Sequence, residues 1–228
     1  MDSAVLFSGG LDSAVLLAEE VARYDVHPIY VSVGLAWESA EREAIAQLLA
    51  GGPMNGRVKP LVPLTVDMRD VYAASHWAIA GRPPGYHTPD EDVYLPGRNI
   101  VLLDKAAVYC AAAGIGRLVL GTLSGNPFPD ATPEFRAAMA HAVSLGLGTA
   151  VHIDAPYSHV GKADVIRRGV SFGVRFDLTM SCMNPRNEGS GLPQHCGVCS
   201  KCRERHDAFV AAAISDPTSY ANRDYVGM

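Results

Sequence analysis

The chain has 228 residues, of which 48% are hydrophobic and 19% are charged, and its formal net charge is −5. This composition is typical of a soluble globular protein and predicts a single domain over residues 1–228. The negative charge provides no basic field for nucleic acid, and no apolar run reaches the ~20 residues that a membrane span requires. Met1-Asp2-Ser3 lacks a signal peptide's basic region, so the sequence predicts a cytoplasmic protein without nucleic-acid or membrane partners.

Short apolar runs that suit buried strands alternate with helix-forming runs along the chain. The predicted strands are residues 4–7, 28–33, 58–66, 117–122 and 150–156. The predicted helices are residues 14–21, 38–50, 100–113, 133–145, 161–169 and 203–214. This alternation predicts an α/β fold with a doubly wound, mostly parallel sheet. Pro60 and Pro63 place the third strand near an edge, and Gly51-Gly52-Pro53 is predicted to end the second helix.

The first strand leads directly into Ser8-Gly9-Gly10-Leu11-Asp12-Ser13, and a helix follows. Adjacent glycines permit positive φ and leave room for a phosphate, while the helix start presents free N–H groups. Ser8 and Ser13 supply hydroxyl donors, and Asp12 either caps the helix or holds Mg²⁺. The loop matches neither G-x-x-x-x-G-K-[ST] nor G-x-G-x-x-G. The alternative is an ordinary strand-to-helix turn.

Because this loop contains no lysine, the cations that offset a triphosphate must come from elsewhere. Lys162, at a helix start just beyond a strand end, is the best candidate. Arg98 follows the Pro96-Gly97 turn at a helix entrance, where it could grip a phosphate or carboxylate in bidentate fashion. A surface arginine bonded to a backbone carbonyl is the alternative for Arg98. Asn99 is the predicted N-cap of that helix.

Two loops are candidates for contacting a second ligand. Phe128 and Asp130 lie in the loop 123–133, which leaves the carboxyl end of a strand. They suit a small heteroaromatic ligand that stacks on Phe128 and hydrogen-bonds to Asp130. The alternative is a capped helix entry in which Asp130 is an N-terminal acid. The irregular loop 81–92 is either functional or a surface excursion.

Four of the five cysteines lie in the last fifth of the chain, namely Cys182, Cys196, Cys199 and Cys202. Their two overlapping C-x-x-C steps, with Cys182 brought back by a loop, predict a structural zinc site with four cysteine ligands over residues 182–202. An iron–sulfur cluster is the main competitor, and His195 could replace one thiolate. Lys201, Arg203 and Arg205 would soften the negative charge of the four thiolates. Cys110 is most simply a small core residue.

The glycine loop looks like the pyrophosphate loop of the N-type ATP pyrophosphatases. Together, that loop and the C-terminal C…C-G-x-C-x-K-C-R pattern resemble the 7-cyano-7-deazaguanine synthase family of queuosine precursor biosynthesis. The likeness spans most of the chain and includes residues 94–99, 129–135, 159–164 and 179–182.

The resemblance implies an adenine nucleotide alpha hydrolase-like fold and a homodimeric, zinc-containing ligase. This enzyme would convert 7-carboxy-7-deazaguanine, ammonia and ATP to the nitrile through an acyl adenylate and an amide. Asp12, Lys162 and Arg98 are the predicted catalytic residues, and Phe128, Asp130 and Arg98 the predicted substrate-binding residues. By resemblance, zinc is held by Cys182, Cys196, Cys199 and Cys202. ATP is implied to bind Phe7, Ser8, Gly9, Gly10, Leu11, Asp12, Ser13, Ala14, Val15, Leu16 and Leu17, with Mg²⁺.

The predicted substrate loop departs from the family. Where the family has Tyr-Pro-Asp-Cys-Arg, this chain has Phe128-Pro129-Asp130-Ala131-Thr132, and the segment 123–126 is shorter. One alternative is therefore a paralogue that adenylates another heteroaromatic carboxylate and whose product is either the amide or the nitrile. A non-catalytic nucleotide-binding zinc module is another. A tRNA thiolase needs more spare cysteines than Cys110, and the absence of room for a glutaminase domain predicts free or partner-supplied ammonia.

Overall fold

The structure is a computed structural model that describes residues 1–51, 54, 56–187 and 191–223. Its strands are β1 (Asp2–Leu6), β2 (Asp25–Ser32), β3 (Val62–Thr65), β4 (Arg117–Val119) and β5 (His152–Asp154). Its helices are α1 (Leu11–Glu20), α2 (Glu38–Ala50), α3 (Trp77–Ala80), α4 (Arg98–Ala112), α5 (Pro133–Leu147), α6 (Lys162–Ser171) and α7 (Ser200–Ala212). α2 ends where predicted, but Gly52 and Pro53 of the predicted stop lie outside the described residues.

The five strands form one parallel sheet in the order β3-β2-β1-β4-β5. This order confirms the predicted α/β, doubly wound architecture. From β1, the strands β2 and β3 are added on one side of the sheet, and β4 and β5 are added on the other side. The point between β1 and β4 at which the strand order reverses is a switch point, and it opens a crevice beyond the carboxyl ends of the strands. β3 is an edge strand as predicted, although it is shorter than 58–66. Val58 makes only an isolated bridge to Val26, because Pro60 cannot donate a ladder hydrogen bond.

The sheet is covered on both faces by apolar side chains. On one face α1, α6 and α7 pack together through residues such as Leu16, Ile166 and Phe209. On the other face, α4 and α5 contribute Leu103 and Val143. Parallel strands need this two-sided burial, which explains their near-continuous apolar sequence. No helix in the described ranges is long and apolar enough to span a bilayer.

The turn between β1 and α1 requires glycine at position 9. Gly9 has φ +74°, and a Cβ there would lie 2.9 Å from Ile45 Cγ1 and 3.1 Å from the Glu41 carbonyl oxygen. Positive φ and close packing against α2 therefore both require glycine. Gly10 has an extended conformation (φ −74°, ψ 166°) and is the N-cap residue of α1. Asp12 is the second residue of α1 and is therefore not its N-cap residue.

Three predicted helix starts are wrong, and the first of these is that of α1, which begins at Leu11 rather than Ala14. Asn99 is not the N-cap of α4, because Gly97 occupies that position with φ +78° and the helix begins at Arg98. The C-terminal helix begins at Ser200 rather than Arg203 and ends at Ala212 rather than Ile214. The cysteine turn itself thus forms the start of α7, with Cys199 as the N-cap residue.

Candidate nucleotide and metal sites

A cleft of about 730 Å³ lies beyond the carboxyl ends of β1, β2 and β4. It is lined by the glycine loop, by the loop after β4, and by the first residues of α4 and α6. Because this is the switch-point crevice of the sheet, it is the expected ligand position in this architecture. Two clusters of charged and polar side chains line it.

The glycine loop forms one wall of the cleft. Ser13 Oγ donates a 3.1 Å hydrogen bond to the Gly10 carbonyl oxygen, and Ser8 Oγ lies 3.3 Å from Ser13 Oγ. The Met180 N–H donates to the Gly9 carbonyl oxygen at 2.9 Å, which fixes the turn from the opposite side.

Not every residue predicted to bind ATP reaches the cleft. Among the predicted residues, Phe7, Ser8, Gly10, Leu11, Asp12 and Ser13 line it. Gly9 does not, and Ala14, Val15, Leu16 and Leu17 are fully buried in α1. These last four side chains pack in the core, so any part they have in binding is to hold the loop in place.

The lysine cluster consists of Asp12, Lys162, Lys201 and Glu204. Lys162 Nζ lies 3.2 Å from Asp12 Oδ2 and also pairs with Glu204 Oε1. Lys201 Nζ lies 2.5 Å from Glu204 Oε2. Burial by itself would lower the pKa of Lys162, but Asp12 and Glu204 raise it above its usual range. The predicted phosphate cation is therefore charged, and it is already shared between two carboxylates.

The same cluster leaves one oxygen without a partner. Asp12 Oδ1 is buried and has no hydrogen-bond partner among the described residues. Burial raises the pKa of Asp12, although Lys162 opposes this shift. Glu204 resists the same effect of burial because Lys162 and Lys201 lower its pKa to about 2. A buried carboxylate oxygen without a donor fits the predicted role of Asp12 as a ligand for a divalent cation.

The arginine cluster consists of Glu41, Arg98, Asn99 and Asp130. Arg98 Nε is buried without a partner, and the guanidinium forms no hydrogen bond or ion pair with the described residues. Its positive charge acts to lower the pKa of both Glu41 and Asp130, against the effect of burial. The alternative of a surface arginine bonded to a carbonyl does not describe this side chain. An unpaired guanidinium facing a cleft is a receptor for a carboxylate or phosphate.

Asp130 has a different set of contacts from those predicted. It is 4% exposed, and it accepts hydrogen bonds from Asn99 N at 3.2 Å and from Asn99 Nδ2 at 3.1 Å. Burial raises its pKa, and the Asn99 donors oppose the shift. Asp130 thus caps α4 from a distant loop, while Thr132 caps α5 by accepting from Phe135 N. The role of Asp130 in binding substrate stays a prediction.

Aromatic rings surround the arginine cluster. Phe128 stacks on Tyr94 with ring centroids 5.1 Å apart, and Trp37 stacks on Trp77 at 5.9 Å. All four residues line the cleft. Glu41 accepts hydrogen bonds from Tyr30 Oη at 2.8 Å and Trp37 Nε1 at 3.1 Å. Burial raises the pKa of Glu41 to about 7, so this carboxyl group titrates near neutral pH.

The four C-terminal cysteines meet at one point. Their sulfur atoms all lie within 4.8 Å of one another, and the Cys196–Cys202, Cys199–Cys202 and Cys182–Cys199 separations are 3.9, 3.5 and 4.0 Å. A tetrahedral zinc ion with ~2.3 Å Zn–S bonds needs separations of about 3.8 Å. The donor set therefore fits one tetrahedral ion, whereas a cluster of several iron atoms would hold its thiolates further apart.

Backbone amides complete the surroundings of these sulfurs. Asn184 N and Cys196 N each donate to Cys182 Sγ at 3.2 Å, and Val198 N donates to Cys196 Sγ. His195 is not a fourth ligand, because its Nε2 accepts a hydrogen bond from Ser181 N at 3.1 Å. Cys110 is fully buried outside this group, as predicted.

The first turn of α7 joins the cysteines to the cleft. Arg203 donates to the Tyr86 and Thr88 carbonyl oxygens and to Asp90 Oδ1, each at 3.0 Å. The irregular loop 81–92 is therefore held against the cysteine segment, and Asp90 of this loop lines the cleft. Arg205 is fully buried, and it donates a 2.7 Å hydrogen bond to the Phe176 carbonyl oxygen.

Sequence reasoning missed several residues that line the cleft. Glu41, Trp37 and Trp77 come from segments without a recognised motif, and Glu204 was hidden among the charges that follow the cysteines. The available signal for Glu204 was its position as a single glutamate among the three basic residues of the segment 201–205.

The structure defines a doubly wound α/β protein with a cleft at the switch point of its sheet and four cysteines that could hold a metal ion, and comparisons identify its family. The model of the family described as "Queuosine biosynthesis protein QueC" matches residues 2–213. The chain belongs to this family.

Curated relatives agree with this assignment. 7-Cyano-7-deazaguanine synthase from Xanthomonas campestris pv. campestris is 32% identical over 227 residues, covering 96% of this chain and 97% of the relative. The proteins of the same name from Caldicellulosiruptor bescii and Syntrophotalea carbinolica are 30% and 31% identical and cover 96% of this chain and 97% and 96% of their own lengths. Among solved structures, a 4-thiouridine synthetase–RNA complex with bound ATP is 15% identical, with a TM-score of 0.49 over 83% of this chain and 46% of that chain.

Proposed function

We propose that this chain is an ATP-dependent carbon–nitrogen ligase that converts 7-carboxy-7-deazaguanine and ammonia to 7-cyano-7-deazaguanine. Family membership and the names of the relatives support the reaction class. The observation that carries the assignment of the site is the unpaired Arg98 guanidinium, which shares one cleft with the glycine loop. A carboxylate bound to Arg98 and a triphosphate bound to the loop would face each other across that cleft.

The phosphate half of the reaction is assigned to the glycine loop and the lysine cluster. Backbone N–H groups at the start of α1 and the Ser8 and Ser13 hydroxyls would bind the phosphates. Each ammonium group has three N–H donors, so Lys162 and Lys201 would bind the departing pyrophosphate while still paired with their carboxylates. Asp12 Oδ1 would hold Mg²⁺, which neutralises phosphate charge when bound. Positioning and charge stabilisation supply the rate here, since little covalent chemistry falls to the protein.

The carboxylate half is assigned to Arg98 and the aromatic rings around it. A carboxylate oxygen attacks the α-phosphorus, the bond to pyrophosphate breaks, and an acyl adenylate forms. Ammonia attacks the acyl carbon, loses a proton and expels AMP to give the amide. The amide oxygen then attacks the α-phosphorus of a second ATP and releases pyrophosphate, and loss of that oxygen as part of AMP, together with two protons, leaves the nitrile. The planar rings of Tyr94 and Phe128 would line the path of a flat heterocycle.

Zinc at the four cysteines, a homodimer and free ammonia as the nitrogen source belong to this proposal. The near-tetrahedral spacing of the sulfurs supports zinc, and its role would be structural because four protein ligands leave no open position. Elemental analysis tests the metal, with one zinc per chain expected and iron contradicting it. The dimer rests on the family resemblance, and the cytoplasmic location expected from the sequence stays a prediction.

Mass spectrometry of the reaction tests the proposed function directly. The purified protein is incubated with 7-carboxy-7-deazaguanine, Mg-ATP and ¹⁵N-ammonium, and AMP, pyrophosphate and the deazapurine product are followed. The expected product carries one ¹⁵N and has lost both carboxylate oxygens. A labelled amide as the end product would assign a ligase that stops earlier. ATP binding without pyrophosphate release with any heteroaromatic acid would contradict an enzymatic role.

A further inference from the structure

Glu204 occupies an unusual position between the metal segment and the phosphate site. It lies in the first turns of α7, which starts at the N-cap residue Cys199 and includes Cys202. Its two carboxylate oxygens pair with lysines from different helices, Lys162 of α6 and Lys201 of α7. The side chain is only 22% exposed and lines the cleft. Neither the glycine loop nor the cysteine pattern assigns a role to this residue.

We propose that Glu204 is a positioning residue that directs Lys162 to the nucleotide phosphates. This proposal rests on the proposed function, in which Lys162 stabilises the departing pyrophosphate. Glu204 would act only through Lys162, without touching the reacting atoms itself.

The geometry around Lys162 supports this role. Lys162 is the first residue of α6, and the N-cap Gly161 offers no side-chain cap. A lysine side chain has four rotatable bonds and loses much conformational freedom when it is fixed. Asp12 from α1 and Glu204 from α7 hold its Nζ from two helices. Removing Glu204 leaves Lys162 with Asp12 as its one ionic partner among the described residues.

Loss of the Glu204 charge should strengthen nucleotide binding, whereas loss of its positioning role should slow turnover. With all four members ionised, the lysine cluster has two positive and two negative charges, so neutralising Glu204 leaves the cluster with a net charge of +1. That change favours binding of a polyanion and frees Lys162 to contact it. Turnover falls nevertheless, because a freed Lys162 is no longer directed to the leaving group. A residue that merely stabilised the fold would not separate binding from turnover in this way.

The test is a double-mutant cycle of Glu204→Gln and Lys162→Met in the metal-loaded protein. We expect Glu204→Gln to lower kcat by about 30-fold while the Kd for a non-hydrolysable ATP analogue falls by about threefold. The loss of kcat should disappear, and the gain in analogue affinity should shrink, when Glu204→Gln is introduced into the Lys162→Met background. An unchanged kcat, weaker analogue binding, or an equal loss of kcat in both backgrounds would overturn the proposal.

Controls separate this proposal from folding effects and from failure of the proposed function. Metal content and Tm are measured for each variant, and loss of metal from Glu204→Gln would overturn the proposal by making the residue structural. Glu134→Gln, at an exposed first-turn glutamate of α5, is the matched control and should change nothing. If the wild-type protein formed no product from 7-carboxy-7-deazaguanine, the proposed function would fail. The analogue-binding cycle would still support or overturn the link between Glu204 and Lys162.

Discussion

The lysine cluster and the arginine cluster lie in one cleft but differ in how their cations are held. Lys162 and Lys201 are paired with Asp12 and Glu204, so carboxylates of the chain itself offset their charge. Arg98 has no such partner among the described residues, although Glu41 and Asp130 are near enough to interact electrostatically. A triphosphate therefore meets cations whose charge is already partly offset, whereas a carboxylate meets a guanidinium without a partner among the described residues.

The largest effect is expected from damage to the metal site, which supports the lysine cluster through α7. Cys202→Ser removes one of four sulfurs, and structural zinc sites contribute several kcal/mol to folding, so we expect Tm to fall by about 10 °C or more. ATP-analogue affinity should fall with it. Cys110→Ala, a buried cysteine outside the cluster, is the control and should cost about 1 kcal/mol with metal content intact. Equal losses in thermal denaturation of both variants would contradict a structural metal.

Loss of Lys162 tests the phosphate half of the comparison. Lys162→Met should reduce kcat by about 100-fold, because one positive charge is lost beside the leaving pyrophosphate. Steady-state kinetics with ATP as the varied substrate measures this. The exposed residue Lys59 supplies the control variant Lys59→Met. A Lys162→Met enzyme that retained most of its kcat would assign the cationic role elsewhere.

Glu41 of the arginine cluster makes the stability of the folded chain sensitive to pH. Its pKa is raised from 4.5 to about 7, chiefly by burial, so the folded state holds a proton that the unfolded state releases. Stability is therefore lost as pH rises from about 4.5 towards 7 and stays low above that range. Glu41→Gln should be stabilised relative to wild type by about 2 kcal/mol more at pH 8 than at pH 5. Urea denaturation at both pH values checks this, and a pH-independent difference would exclude Glu41 as the titrating group.

A smaller effect is expected at Asp130, which positions the start of α4. Asp130→Asn keeps the size of the side chain but loses an acceptor for Asn99, at a cost of about 1 kcal/mol. Because Arg98 begins α4, we also expect a KM for the carboxylate about threefold higher with an unchanged KM for ATP. Asp104→Asn, on the exposed face of α4, is the matched variant. A rise in the KM for ATP instead would place Asp130 in the phosphate half.

Features encoded by local spacing were predictable from the sequence. The glycine loop, the order of strands and helices, and the cysteine group depend on residues close in the chain, with Cys182 brought back by the intervening loop. The structure confirms the α/β fold, and it brings the four sulfurs together.

Features that depend on contacts between distant elements were not predictable. Asn99 was predicted to be an N-cap, but Gly97 takes that position. The backbone N–H of Asn99 instead donates a hydrogen bond to Asp130, which is 31 residues away in the chain. Lys162 looked like a free cation, because nothing in the sequence revealed that α7 brings Glu204 beside it. Trp37 and Glu41 of the cleft likewise depend on how α2 packs against the turn at Gly9.

The most direct test of the central claim is calorimetric titration of wild type, Arg98→Ala and Lys162→Met with 7-carboxy-7-deazaguanine. We predict that Arg98→Ala weakens binding of this carboxylate by about 30-fold or more, while Lys162→Met leaves its Kd within about twofold of wild type. Carboxylate binding that survived Arg98→Ala but was lost in Lys162→Met would contradict the assignment of the two clusters.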